Sequence, residues 1–112
     1  MSENFKENAI YIKNPQYEGM YMKHFFDSND NDRLNNVEIT IIPGFGTKPH
    51  IHENSTEFFY IVSGEGEFTD DDGTCQVKKG DAFKAPKGVT HSIINTSNEV
   101  LVIFSTFSPP IR

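Results

Sequence analysis

The chain has 112 residues, enough for one domain with one modest core and too few for two. Its formal net charge is −6 and no Lys/Arg cluster breaks that balance, which argues against nucleic acid as a partner because phosphate binding needs a basic face. A single cysteine excludes an internal disulfide framework, a 36% hydrophobic share excludes disorder, and no apolar run nears the ~20 residues that cross a bilayer, so no membrane partner is expected.

Met1 to Asn8 is polar and reads as an N-terminal arm without the basic and apolar regions of a secretory leader, so cytoplasmic residence is expected. Residues 9–112 read as one unit of short strands. Ala9 to Ile12 predicts a strand closed by Asn14 and Pro15, and Tyr21 to Phe26 predicts a second, starting after Gly19. In that second strand Met22, His24 and Phe26 share a face, which makes His24 a candidate lumen group although no motif residue falls on it. Asp27 to Asn36 is a turn-rich loop. Asp27, Asn29, Asn31 and Glu38 approximate calcium-loop spacing, but Asp32 stands where that loop needs glycine, and the flanks read as strands rather than helices. Val37 to Ile42 is a strand with Val37, Ile39 and Ile41 on one face, ended by Pro43 and Gly44.

The residues able to do chemistry concentrate in two stretches, Gly44 to Gly64 and Gly80 to Asn95. Period-two geometry puts His50 and His52 on one strand face, and the same parity carried back to Lys48 places an ammonium at the mouth of a site. Glu57, Phe59 and Ile61 share the next inward face, while Phe58, Tyr60 and Val62 point outward. That outward row is too apolar to stay wet, so cover by the other sheet's edge, the arm or a second subunit is expected, with a homodimer preferred. Gly64 to Val77 is a hairpin turned at Asp70 to Gly73, where Asp72-Gly73 is a tight-turn pair, and Cys75 reads as a small, partly buried residue of the returning strand. Asp81 to Lys84 is a short strand. Pro86 and Gly88 favour a turn that brings His91 into play, and Ile93 lies in the segment that follows. Val100 to Phe107 is a last apolar strand, and no helix of any length is visible. Three imidazoles and one carboxylate, His50, His52, His91 and Glu57, make a shell for one divalent transition ion; iron, manganese, nickel, cobalt and zinc all suit those donors.

These two stretches resemble the cupin family. Its first motif is matched by Gly44, His50, His52, Glu57 and Gly64, and its second by Gly80, Pro86, Gly88, His91 and Asn95, all at the family's spacing. The resemblance implies an all-β fold, a double-stranded β-helix or jelly-roll barrel. It also implies the metal ligands His50, His52, Glu57 and His91, and a homodimer, which is common among small cupins. Lys48, Phe59, Ile61, Ile93 and His24 are expected around a small-molecule pocket, with Glu57 as a proton carrier if it leaves the metal. The expected function is that of an enzyme using a divalent ion as Lewis acid on a small oxygen-rich substrate, a sugar derivative or a hydroxy or keto acid, with isomerase or lyase chemistry. A metal-dependent dioxygenase and a non-catalytic sensor or binding domain are the alternatives, since one fold hosts many functions.

Overall fold

A computed structural model describes residues 4–112; the first three residues of the expected arm lie outside the described residues. Nine strands make up the described chain: β1 (Ile12–Lys13), β2 (Met20–His24), β3 (Asn35–Ile41), β4 (Thr56–Ser63), β5 (Glu65–Asp70), β6 (Gly73–Lys78), β7 (Ala82–Ala85), β8 (Ser92–Ile94) and β9 (Leu101–Ser108). They form a six-stranded sheet in the order β1-β2-β3-β9-β4-β7 and a three-stranded sheet in the order β6-β5-β8. All pairings within both sheets are antiparallel, the arrangement of a jelly-roll barrel. No helix among the described residues is long and apolar enough to cross a membrane.

Strict alternation builds the core. Along β3 and β9 every second residue is buried, and the register sets Val37 opposite Ser105, Ile39 opposite Ile103 and Ile41 opposite Leu101. β4 does the same with Glu57, Phe59 and Ile61, while Phe58, Tyr60 and Val62 face out. Ile41, Ile61, Leu101 and Ile103 are fully sealed, each stabilising the fold by about 1.5–3 kcal/mol relative to exposure. Asn95 is equally sealed because it acts as a tie: its amide donates to the carbonyls of Ile41 (2.9 Å) and Glu99 (2.7 Å), and its oxygen accepts from Ser97. Gly64 makes the turn from β4 to β5 at φ +85, where a Cβ would stand 2.5 Å from the Val100 carbonyl oxygen.

Several local expectations shift. The first strand is Ile12–Lys13 rather than residues 9–12, because pairing with Met22 and Tyr21 decides its extent. The second begins at Met20 and ends at His24, after which the Asn36 side chain intervenes by accepting from the Phe26 amide at 3.0 Å. The hairpin places Asp71 and Asp72 at its tip, since Asp70 and Gly73 are themselves cross-strand partners. Asp70 caps this turn by accepting from the Asp72 amide at 2.9 Å. Cys75 is exposed rather than partly buried: it shares the face of buried Val77 and pairs with buried Phe68, but β6 is an edge strand of the three-stranded sheet and Cys75 lies toward its open end. The Asp27 to Asn36 loop holds itself together. Asp27 accepts from the Asn29 amide, and Asn31 accepts from Arg33 and Leu34, while Glu38 takes the Tyr11 hydroxyl on the other side of β3; these oxygens do not converge on a cation.

Candidate metal centre

His50 and His52 are not in a regular strand. His50 forms an isolated bridge with His91, each amide donating to the other's carbonyl at 3.0 and 2.9 Å, and the segment from His50 to Ser55 is otherwise irregular. That reciprocal pair clamps the two motifs together and brings the His50 and His91 rings to a separation of 4.4 Å, tilted by 56°. Glu57 arrives from the inward row of β4, and Phe107 packs edge-on against His52 at 5.0 Å. The result is that His50, His52, Glu57 and His91 each offer a donor atom, all within 4.8 Å of one another.

Orientation comes from the backbone. Nδ1 of His50 lies 2.7 Å from the Lys48 carbonyl and Nδ1 of His91 lies 2.9 Å from the Val89 carbonyl, so both rings carry their proton on Nδ1 and leave Nε2 as a donor lone pair. Nε2 of His91 then faces Glu57 Oε1 at 3.3 Å, and Nε2 of His52 faces the same oxygen at 3.4 Å. Lone pair against lone pair at that distance is repulsive unless a proton or a cation lies between. Donors at about 2.1 Å from a common ion, roughly at right angles, stand about 3 Å apart, so the spacing fits a transition ion.

The titration of these groups reports the same crowding. Burial alone would raise the Glu57 pKa, but hydrogen bonding from His52 and His91, with the nearby Ser105 hydroxyl, outweighs it and holds the carboxyl below its ordinary range. For His91 burial opposes the charged form, yet the bond to Glu57 and the Val89 carbonyl win, and its pKa is raised. His50 goes the other way: burial lowers its pKa, against the Lys48 carbonyl and with help from neighbouring His91 and His52.

The four donors line a cavity of about 520 Å³. Of the expected pocket residues, Phe59, Ile93 and His24 line it. Lys48 and Ile61 lie outside its wall. The parity carried back from His50 fails at Lys48 because Pro49 and the irregular backbone break the strand there, leaving the ammonium exposed and only the Lys48 carbonyl in use. Ile61 sits one step deeper than Phe59, sealed against Ile103 on β9. Sequence reasoning missed Tyr17, whose ring stands 6.2 Å from His50, as well as Met20, Met22, Phe107 and Arg112. The shared face of Met22 with His24 was a signal for the methionines, and the Phe107 to Pro110 tail was one for Arg112, which follows it after Ile111. His24 is held neutral by burial and by the adjacent Arg112 charge, against the pull of Asp27.

Comparison with known proteins points the same way. A sequence profile of the cupin domain matches residues 37–107. Over 56 residues the chain is 41% identical to an oxalate-binding protein of Thermotoga maritima, covering 50% of this chain and 46% of that protein. Over 71 residues it is 39% identical to an uncharacterised protein of Methanocaldococcus jannaschii, covering 62% and 57%. The chain thus spans about half the length of the curated relatives it matches. Among solved structures, a predicted oxalate decarboxylase from Thermotoga maritima superposes with a TM-score of 0.78 at 28% identity, over 90% of this chain and 91% of that one. A cupin from Shewanella frigidimarina gives 0.80 at 24% identity, over 96% and 90%, a likeness of fold alone.

Proposed function

The chain belongs to the cupin family, and from that premise we propose that it binds one divalent transition ion through His50, His52, Glu57 and His91 and uses it on a small carboxylic acid. The observation that carries this reading is the convergence of three imidazoles and one carboxylate on the wall of a cavity large enough for an organic ligand. When bound, such an ion supplies Lewis acidity to an oxygen of the ligand. The chain supplies the rest. Carbonyls of Lys48 and Val89 fix the ring orientations, Phe107 backs His52, and buried Phe59 and Ile93 keep bulk water from the ligand. Glu57, once it leaves the ion, is the carboxylate that would hold and move a proton beside the ligand, which suits isomerase or lyase chemistry. The oxalate-binding and predicted oxalate decarboxylase relatives support a carboxylate ligand. The first of them also supports a second reading, binding without turnover.

Elemental analysis of purified protein should find close to one ion per chain. A screen of hydroxy, keto and dicarboxylic acids in deuterium oxide then separates the readings: solvent deuterium entering carbon marks proton-transfer catalysis, and metal-dependent binding without exchange marks a binding domain. Oxygen consumption confined to a redox-active ion would instead indicate a dioxygenase. Ligand binding that persists unchanged after chelation would remove the metal from the account.

The outer face of β4 supports a homodimer. Phe58, Tyr60 and Val62 are 46%, 47% and 40% exposed, with Tyr21 on the same sheet at 37%, and a symmetric copy of this face is the cover that suits such a row.

A further inference from the structure

The cavity is much larger than the donor cluster requires. At about 520 Å³ it falls within the range of about 300–1,000 Å³ typical of pockets for whole organic ligands. Away from the donors the lining is largely apolar, with Met20, Met22, Ile39 and Phe107 among its residues, interrupted by the polar side chains of Asn35 and Thr47. Oxalate, two joined carboxylates with no apolar part, would leave that surface wet.

The far wall is polar again. His24, at the end of β2, belongs to the inward row that crosses the sheet through Val37 and Ser105 to Phe59, next to Glu57. From β4 to β2 is three interstrand steps, about 14 Å along the curved sheet at about 4.8 Å per step. Nδ1 of His24 is buried without a hydrogen-bond partner. Beside it lies Arg112, whose backbone is pinned because its carbonyl accepts from the Ser28 amide at 2.7 Å and the preceding Ile111 amide donates to Asn35 at 2.7 Å. Arg112 is among the residues that line the cavity, at its exposed edge, and among the described residues its guanidinium makes no salt bridge. Asp27 is the nearby carboxylate that acts on His24, and its own Oδ1 is engaged by the Asn29 amide. An imidazole and an unneutralised guanidinium facing a mostly apolar cavity lack one thing, an anionic acceptor.

Resting on the reading of the donor cluster as a metal-dependent carboxylate site, we propose that the ligand is an elongated anionic acid. Its oxygen-bearing head lies at His50, His52, Glu57 and His91, its apolar middle lies against the methionines and Phe107, and a second anionic group is held by His24 and Arg112. His24 and Arg112 are thus specificity residues at the end of the cavity away from the chemistry.

Calorimetry on zinc-loaded protein with oxalate, hexanoate and adipate tests this. Adipate should bind about tenfold or more tighter than hexanoate, the value of one or two charge-assisted hydrogen bonds. H24F and R112Q should each collapse that ratio towards one; R112Q changes an exposed side chain, so it reports even if H24F fails to fold. A phosphonate-ended analogue of adipate that outbinds adipate would assign the second group as a phosphate held by the same residues. Equal affinity for adipate and hexanoate, a preference that survives both substitutions, or no binding of either acid would overturn the proposal. Metal-dependent binding without preference would overturn it and leave the metal reading intact, whereas a preference that survives chelation would keep the anion-binding wall and overturn the metal reading.

Discussion

At the scale of single residues, a cation at the proposed centre would compete with protons for the same lone pairs. Because Glu57 raises the His91 pKa, that ring still carries a proton at pH values somewhat above the ordinary 6.5, and an ion has to displace it. Ion affinity should therefore begin to fall, as pH is lowered, from above 6.5, with His50 joining only below that value because its own pKa is depressed. Titrating zinc affinity between mildly alkaline and mildly acidic pH checks this, and an affinity flat down to pH 6 would contradict it. In metal-free protein the sign reverses for His91: its contribution to stability is fully present below 6.5 and is lost as pH rises through its folded pKa. Glu57 contributes above its ordinary 4.5 and loses that contribution as pH falls through its depressed folded value. Removing the charge with E57Q should bring the His91 pKa back below 6.5, readable from ring carbon shifts by NMR. H52A should cost more than the about 10–100-fold typical of losing an outer partner, and abolish stoichiometric ion content by elemental analysis while far-ultraviolet dichroism stays β-rich. The convergence of these four donors was legible without coordinates, because four donor residues at fixed spacing from glycines and a proline are a chemical pattern. Their hydrogen-bond partners were not, since Lys48 and Val89 act through carbonyls that every residue has.

At the scale of elements, β4 carries both the chemistry and the packing. Phe59 stacks on Phe83 at 4.8 Å, meets Phe68 edge-on at 5.4 Å and stands 6.0 Å from His91, so one ring supports the core and the donor cluster together. F59A should destabilise the chain by about 3–5 kcal/mol in urea denaturation and weaken ion binding as His91 loses its backing. At the end of the strand, G64A puts a Cβ 2.5 Å from a backbone oxygen at positive φ, and should cost at least about 2 kcal/mol by the same measurement. The alternation of β3, β4 and β9 could be read in advance because half-buried strands must repeat every two residues. The segment from Lys48 to His52 could not. Parity assumes a continuous strand, and here a two-residue contact between His50 and His91, far apart in sequence, replaces it.

At the scale of the whole molecule, the outer sheet face presents a row of exposed apolar side chains, Phe58, Tyr60 and Val62. If two copies cover it, sedimentation should show a dimer in the wild type and a monomer in a Y60E variant, with ion content retained because Tyr60 points away from the cavity; a dimer surviving that change would move the interface elsewhere. What the order of amino acids determined alone was the class of fold, the donor set and the inward rows, since each follows from local periodicity and residue chemistry. What tertiary structure decided was everything that depends on curvature and register between distant strands. Closing the sheets set the cavity's size, placed His24 and Arg112 on one wall, and left Lys48 and Ile61 outside it. No periodicity encodes such distances; they arise only when residues separated by scores of positions are packed against one another.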